Sequence, residues 1–202
     1  MAGTESTAKS ITIAHYHLLA NPDLMTKLRT ELSENPSASL ADLDRLPYIH
    51  AIALEANRLS FGLTGRNPRV SPNETLRYID TAKHTAYVLP PGTPISTPTL
   101  LAHTDEAVFP RPWMFDPARW LGDEGAKRRK FNLAFSKGPR QCIGMHLADA
   151  ELLVTIRAMA RWEMELYETG EEDVTFLHDY HVATPRLDSQ GVRVRVVRKV
   201  EG

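Results

Sequence analysis

The chain has 202 residues, 42% of them hydrophobic and 24% charged, with 24 Lys and Arg against 25 Asp and Glu. This supplies enough apolar material for one buried core, and an average charge fraction gives no sign of disorder. A formal net charge of -1 and a lone cysteine, Cys142, exclude a nucleic-acid or anionic-membrane gripping protein, an internal disulfide framework and a multi-cysteine zinc site.

Helical spacing begins almost at Met1. Ile11, Ala14, Leu18 and Leu19 fall on one stripe of a helix that Asn21-Pro22 stops, Pro22 opening the next helix. Leu24, Leu28 and Leu32 give that second helix its apolar face as far as Asn35-Pro36. A polar linker, Ser37 to Arg45, precedes a third helix that Pro47 opens and that runs through Ile52, Leu54 and Leu59. From Arg69 to Thr97 the pattern alternates, with Leu76-Tyr78-Asp80 and Thr85-Tyr87-Leu89 broken by Pro72-Asn73 and Pro90-Pro91-Gly92. That reads as a small antiparallel sheet with tight turns. Thr104 to Lys137 reads as an irregular segment, too long for an idle connection and too rich in Trp113, Phe115 and Trp120 for disorder. A strong helix follows over Ile143 to about Trp162, with Met164 assigned to its apolar face, and Val192 to Val197 alternates as a strand. The expected fold class is α+β, mainly helical. No apolar run approaches the roughly 18 residues of a membrane helix, and no signal peptide precedes the first helix. The chain therefore reads as a soluble polypeptide of a reducing compartment.

Three groups of residues could carry chemistry. Cys142 stands in Phe135-Ser-Lys-Gly138-Pro-Arg140-Gln-Cys142-Ile-Gly144, where the irregular segment becomes a helix. The dipole and free N–H groups of a helix start favour a thiolate, and Lys137 and Arg140 add positive charge. Gly138 and Gly144 clear side chains from both flanks, so a flat group could approach the backbone. Such a sulfur suits axial ligation of heme iron; a buried, inert cysteine is the plainer alternative. Glu55 and Arg58 lie i, i+3 on the third helix, either as a solvated surface pair or, given the apolar neighbours, as an internal pair. An internal pair needs further partners, and Arg119 in Phe115-Asp-Pro-Ala-Arg119-Trp120 is available as one. Ala2-Gly3-Thr4-Glu5-Ser6-Thr7 gathers a carboxylate and hydroxyls near the chain start. This is a helix-capping cluster or, beside an oxygen-binding metal, a proton relay.

Together these residues resemble the cytochrome P450 family. Phe135-x-x-Gly138-x-Arg140-x-Cys142-x-Gly144, continuing to Ala148, matches the family's heme-thiolate signature, and Glu55-x-x-Arg58 its helix-K motif. Phe115-Asp-Pro-Ala-Arg119 looks like the segment that supplies the second Arg of a Glu–Arg–Arg triad. Ala2 to Thr7 is similar to the distal I-helix motif, and the Pro-Pro-Gly turn and His103-Thr-Asp look like fungal members. The resemblance implies the C-terminal half of the P450 fold: the end of helix I, J, K, a small β-sheet, the meander, the Cys loop, helix L and a C-terminal β-hairpin. Residues 1–202 are thus expected to form a partial domain whose N-terminal half is absent.

The same resemblance implies heme b, with Cys142 as its iron ligand and Arg140 and Arg69 facing propionates, in a pocket bounded by Phe135, Gly138 and Gly144. It implies a structural triad of Glu55, Arg58 and Arg119. Glu5, Ser6 and Thr7 would lie at the distal face, Glu5 and Ser6 assisting proton delivery; Ser6 departs from the family's usual Thr and lacks its methyl group. Gly62 to Asn67 would line part of a substrate pocket, while His15, His17, His103, His146, His178 and His181 are read as structural. The implied activity is a monooxygenase that inserts one atom of O2 into a hydrophobic organic substrate, with fungal secondary metabolism as the family-level setting. NADPH-cytochrome P450 reductase would supply the electrons. Two alternatives stand beside it: a truncated, non-catalytic relic that binds heme weakly, and a half-domain that completes another chain. Family members are usually held at the endoplasmic reticulum membrane by an N-terminal helix. This chain is read as lacking that anchor, which leaves its location open, with the cytoplasm as one alternative.

Overall fold

The computed structural model describes residues 2–200, and the chain divides into two compact units, one of Met1–Thr64 with Thr99–Gly202 and one of Gly65–Pro98. The larger unit begins with α1 (Ala2–Ala20), which buries Ile13, Ala14 and Leu18. It stops where the Asn21 side chain and backbone N–H both donate to the His17 carbonyl. Pro22 then occupies the first turn of α2 (Pro22–Glu34), where its missing N–H costs nothing. The polar linker holds one short helix, α3 (Leu40–Leu43), closed by a reciprocal Ser39–Asp42 capping box. The next helix, α4 (Pro47–Ser60), has no cap of its own. The Glu31 carboxylate of α2 accepts from the Tyr48 and Ile49 amides (2.7 and 2.8 Å), so a neighbouring helix satisfies its first turn.

The Gly65–Pro98 unit consists of two antiparallel pairs. Strand β1 (Arg69–Val70) pairs with β4 (Pro94–Ile95), enclosing the hairpin of β2 (Leu76–Asp80) and β3 (Thr85–Leu89). Tyr78 and Tyr87 stand directly opposite each other in that hairpin and stack.

Back in the larger unit, α5 (Thr99–His103) precedes the segment expected to be irregular, which itself contains 3-10 turns at Pro117–Trp120 and Arg129–Phe131 and the helix α6 (Gly122–Arg128). Helix α7 (Met145–Ala160) is shorter than the sequence pattern suggests. Arg29 of α2 donates to the carbonyls of Ala160 and Trp162 (both 2.9 Å), satisfying the helix end and the start of β5 (Trp162–Leu166). Met164 therefore lies in a strand rather than on the helix. After the short hairpin of β6 (His178–Asp179) and β7 (Ala183–Thr184), β8 (Val194–Lys199) pairs antiparallel with β5 through an irregularity at Glu163/Met164.

The main core lies where α1, α2, α4 and α7 meet, around Ile13, Leu18, Leu28, Ile52, Leu152 and Ile156. Each such side chain contributes about 1.5–3 kcal/mol when fully buried. Among the described residues, no helix is long and apolar enough to cross a membrane.

Candidate functional site

Glu55, on α4, has a fully buried side chain. Its Oε2 accepts from Arg58 Nε (2.8 Å) and Trp120 Nε1 (2.8 Å). Its Oε1 accepts from Arg58 NH2, Arg119 Nε and the Asp116 backbone N–H, each at 2.9 Å. One carboxylate facing two guanidinium groups leaves a surplus positive charge in the interior, which is costly unless spread over further acceptors. Backbone carbonyls provide them. Arg58 donates to His103 and Met114, Arg119 to Pro110, Arg111 and Met114, and Arg58 also lies 5.2 Å from the Phe109 ring centre. The network thereby fastens residues 110–120 onto α4.

The same helix holds the approach to the cysteine. Asn132 Nδ2 donates to the Leu54 carbonyl (3.2 Å) and the Leu133 N–H to His103 Nε2 (2.8 Å). Gly62, just past the end of α4, has φ +56, and a Cβ there would run into the Ala134 carbonyl. A glycine is required on both counts. Leu63 bridges Val182, and Thr64 donates to the His181 carbonyl (3.0 Å), so the exit of α4 lies against the β6–β7 hairpin.

From Ala134 the chain turns into the cysteine loop. Ser136 donates its N–H to Leu133 (2.8 Å) and takes φ +59; Gly138 follows at φ +79, opening a 3-10 turn at Gly138–Arg140. The Cys142 N–H donates to the Phe135 carbonyl (2.9 Å) and closes the loop. Cys142 is exposed, as are Arg140, Leu147 and Ile143, the last completely. A Cβ on Gly138 would meet nothing within 4 Å, and one on Gly144 only the Cys142 sulfur at 3.9 Å. Helix α7 starts at Met145 with Gly144 as its cap. The thiol therefore precedes the helix by more than the sequence pattern suggests.

The other candidate residues sit elsewhere. Glu5 is exposed, Ser6 half-buried and Thr7 buried, all within the first two turns of α1. Arg69 belongs to the Gly65–Pro98 unit, where it donates to the carbonyls of Asn67 and Pro68. Trp120, the Asp116 amide and Asn132 are contributors that sequence reasoning does not assign to the site, while it reads His103 only as structural and Gly62 only as part of a pocket lining. Trp120 carries a signal as an aromatic next to Arg119, Gly62 as a glycine at a helix end and His103 as part of His103-Thr-Asp.

Among the described residues, no three His, Cys, Asp or Glu side chains converge to hold a bare metal ion. A metal at Cys142 would need its remaining ligands from a group that it arrives with. The cytochrome P450 family model matches residues 1–188. This chain belongs to the cytochrome P450 family. The P450 monooxygenase pbrB of Penicillium brasilianum is 39% identical over 203 residues, covering 96% of this chain and 38% of its own length. The P450 monooxygenase oblB of Emericella variicolor is 42% identical over 202 residues, covering 96% of this chain and 36% of its own length. The chain thus spans about two-fifths of the length of the curated P450 relatives that it matches. A structure of retinoic acid bound cyanobacterial CYP120A1 superposes with a TM-score of 0.74 at 18% identity, covering 96% of this chain and 43% of that one. The architecture is a partial P450 fold, α+β and mainly helical.

Proposed function

We propose that this chain carries the cysteine-bearing part of a heme-thiolate monooxygenase that acts on a hydrophobic small molecule, with O2 as co-substrate and NADPH-cytochrome P450 reductase as electron donor. The supporting observation is the exposed Cys142 sulfur on a loop braced from α4 and closed by the Phe135 carbonyl. The residues present fit heme b. A soft sulfur ligand suits its iron, exposed Ile143 and Leu147 suit an apolar macrocycle face, Gly138 leaves space, and Arg140 offers a positive charge to a propionate. Heme iron, when bound, supplies the activation of O2 from which one oxygen atom enters a C–H or C=C bond.

The chain's own residues hold and prepare that site. Glu55, Arg58 and Arg119 fix the segment beneath the loop, while Phe135 holds the Cys142 amide so that the sulfur points outward. Glu5, Ser6 and Thr7 hold and pass protons; Ser6 keeps the hydroxyl of the usual Thr without its methyl group, so its rotamer is less constrained. The curated relatives include a conidiogenone synthase of Penicillium rubens, 38% identical over 199 residues, which supports fungal secondary metabolism as the setting. The complete exposure of Ile143 favours a second reading, in which the chain binds heme without turnover until another surface covers that face.

The decisive experiment is the absorption spectrum of the chain with heme, reduced under carbon monoxide. A strongly red-shifted Soret band that disappears in Cys142→Ser supports the assignment. Its absence from the parent chain, or its survival in the variant, overturns it. Turnover with a reductase then separates the monooxygenase from the heme-binding reading.

A further inference from the structure

One fully buried side chain, His103, stands between the Glu55 network and the cysteine loop. Its Nδ1 lies 2.8 Å from the Arg58 carbonyl oxygen, which can only accept, so Nδ1 carries the hydrogen. Its Nε2 receives the Leu133 N–H at 2.8 Å and must present a lone pair. Both nitrogens are committed and the tautomer is determined. The His103 carbonyl, for its part, accepts from Arg58 NH1 at 2.9 Å. Residue 103 thus holds Arg58 by both its backbone and its ring.

We propose that His103 is the positioning residue that carries the geometry of the buried Glu55–Arg58 network into the cysteine loop, as a neutral Nδ1–H imidazole holding the Leu133 amide. Four hydrogen bonds trace the connection. His103 Nδ1 donates to the Arg58 carbonyl, Leu133 donates to His103 Nε2, Ser136 donates to the Leu133 carbonyl, and Cys142 donates to the Phe135 carbonyl. Phe61 and Phe109 flank the ring at 6.0 and 6.3 Å between centres and keep the polar pair dry. Burial also depresses the imidazole pKa to about 4, so the ring stays neutral at physiological pH. Asn132 ties the segment independently to Leu54, so loss of the imidazole releases the loop without detaching the whole segment. The consequence for an iron ligand rests on the heme-thiolate reading, whereas the placement of the loop does not.

The test uses the 202-residue chain without heme. Long-range 1H–15N spectra of His103 at pH 7 are expected to show the Nδ1–H tautomer; an Nε2–H tautomer or an imidazolium overturns the proposal, even if every variant misfolds. An asparagine amide reaches the Nδ1 position and a glutamine oxygen the Nε2 position. His103→Asn should therefore leave the Leu133 amide unpaired, while His103→Gln should keep it. Exchange of the Leu133, Ser136 and Cys142 amides should accelerate roughly tenfold to a hundredfold in His103→Asn. It should return close to the parent rate in His103→Gln, with the α4 amides unchanged in both. Unchanged loop amides in His103→Asn overturn the proposal. So does equal acceleration across loop and α4 in both variants, since that is a general loss of stability. Absence of the carbon monoxide band from the parent chain would remove the heme-thiolate reading and leave these readouts intact.

Discussion

The Trp120 indole donates its Nε1–H to Glu55 Oε2 at 2.8 Å, with both side chains buried. A residue outside the ion triad thus completes the coordination of its central carboxylate. Trp120→Phe keeps most of the bulk and removes one of five donors, and should cost about 1–3 kcal/mol in urea unfolding. Glu55→Ala leaves two guanidinium groups buried without their carboxylate and should cost about 3–5 kcal/mol. A Trp120→Phe variant as stable as the parent would mean that the indole contributes by packing alone.

Gly62 and Gly92 separate two reasons for a glycine. Both have positive φ, +56 and +82, but only at Gly62 would a Cβ meet the Ala134 backbone. Gly92→Ala should carry the conformational cost alone, about 1–2 kcal/mol. Gly62→Ala should cost clearly more and should perturb amide shifts across residues 134–142. Equal costs in chemical denaturation would refute the close approach.

Burial lowers the pKa of His15, His17 and His103 from 6.5 to about 4 in each case. Between pH 4 and 6.5 the unfolded chain therefore binds protons that the folded chain does not. Their contribution to stability is fully present above pH 6.5 and is lost as pH falls toward 4. Urea midpoints measured from pH 7.5 to 4.5 should fall steeply below 6.5, and less steeply in His103→Gln. A flat profile over that range would contradict the burial of these rings.

Lys9 donates to the Val174 carbonyl at 3.2 Å, and burial lowers its pKa from 10.5 to about 8. The folded state loses this proton first, so stability should rise as pH climbs from 8 toward 10.5. Lys9→Met should stabilise the chain at pH 7 despite the lost hydrogen bond, and should remove that alkaline rise. Destabilisation by Lys9→Met at pH 7 would show that the hydrogen bond outweighs the cost of burying the ammonium.

Some of this is legible in the sequence because it is local. Glu55 and Arg58, i and i+3 on a helix, share a face whatever the rest of the chain does, and Pro47 and Pro22 mark helix starts for the same reason. The rest depends on partners far along the chain. Met164 fits the apolar period of α7, yet Arg29, more than a hundred residues earlier, satisfies the carbonyls at which that helix ends. His103 reads as one more core histidine until the fold brings Leu133 to its ring. The need for glycine at position 62 arises from a carbonyl at position 134.

The cysteine loop has a thermodynamic consequence for whatever binds at its sulfur. Leu133 is pinned at one end, Met145 begins a packed helix at the other, and the Phe135–Cys142 hydrogen bond joins the two arms of the loop between. The conformational entropy of closing that loop is lost when the chain folds, not when a ligand arrives. A binding partner therefore meets a pre-organised sulfur, and its affinity is not reduced by having to order the loop.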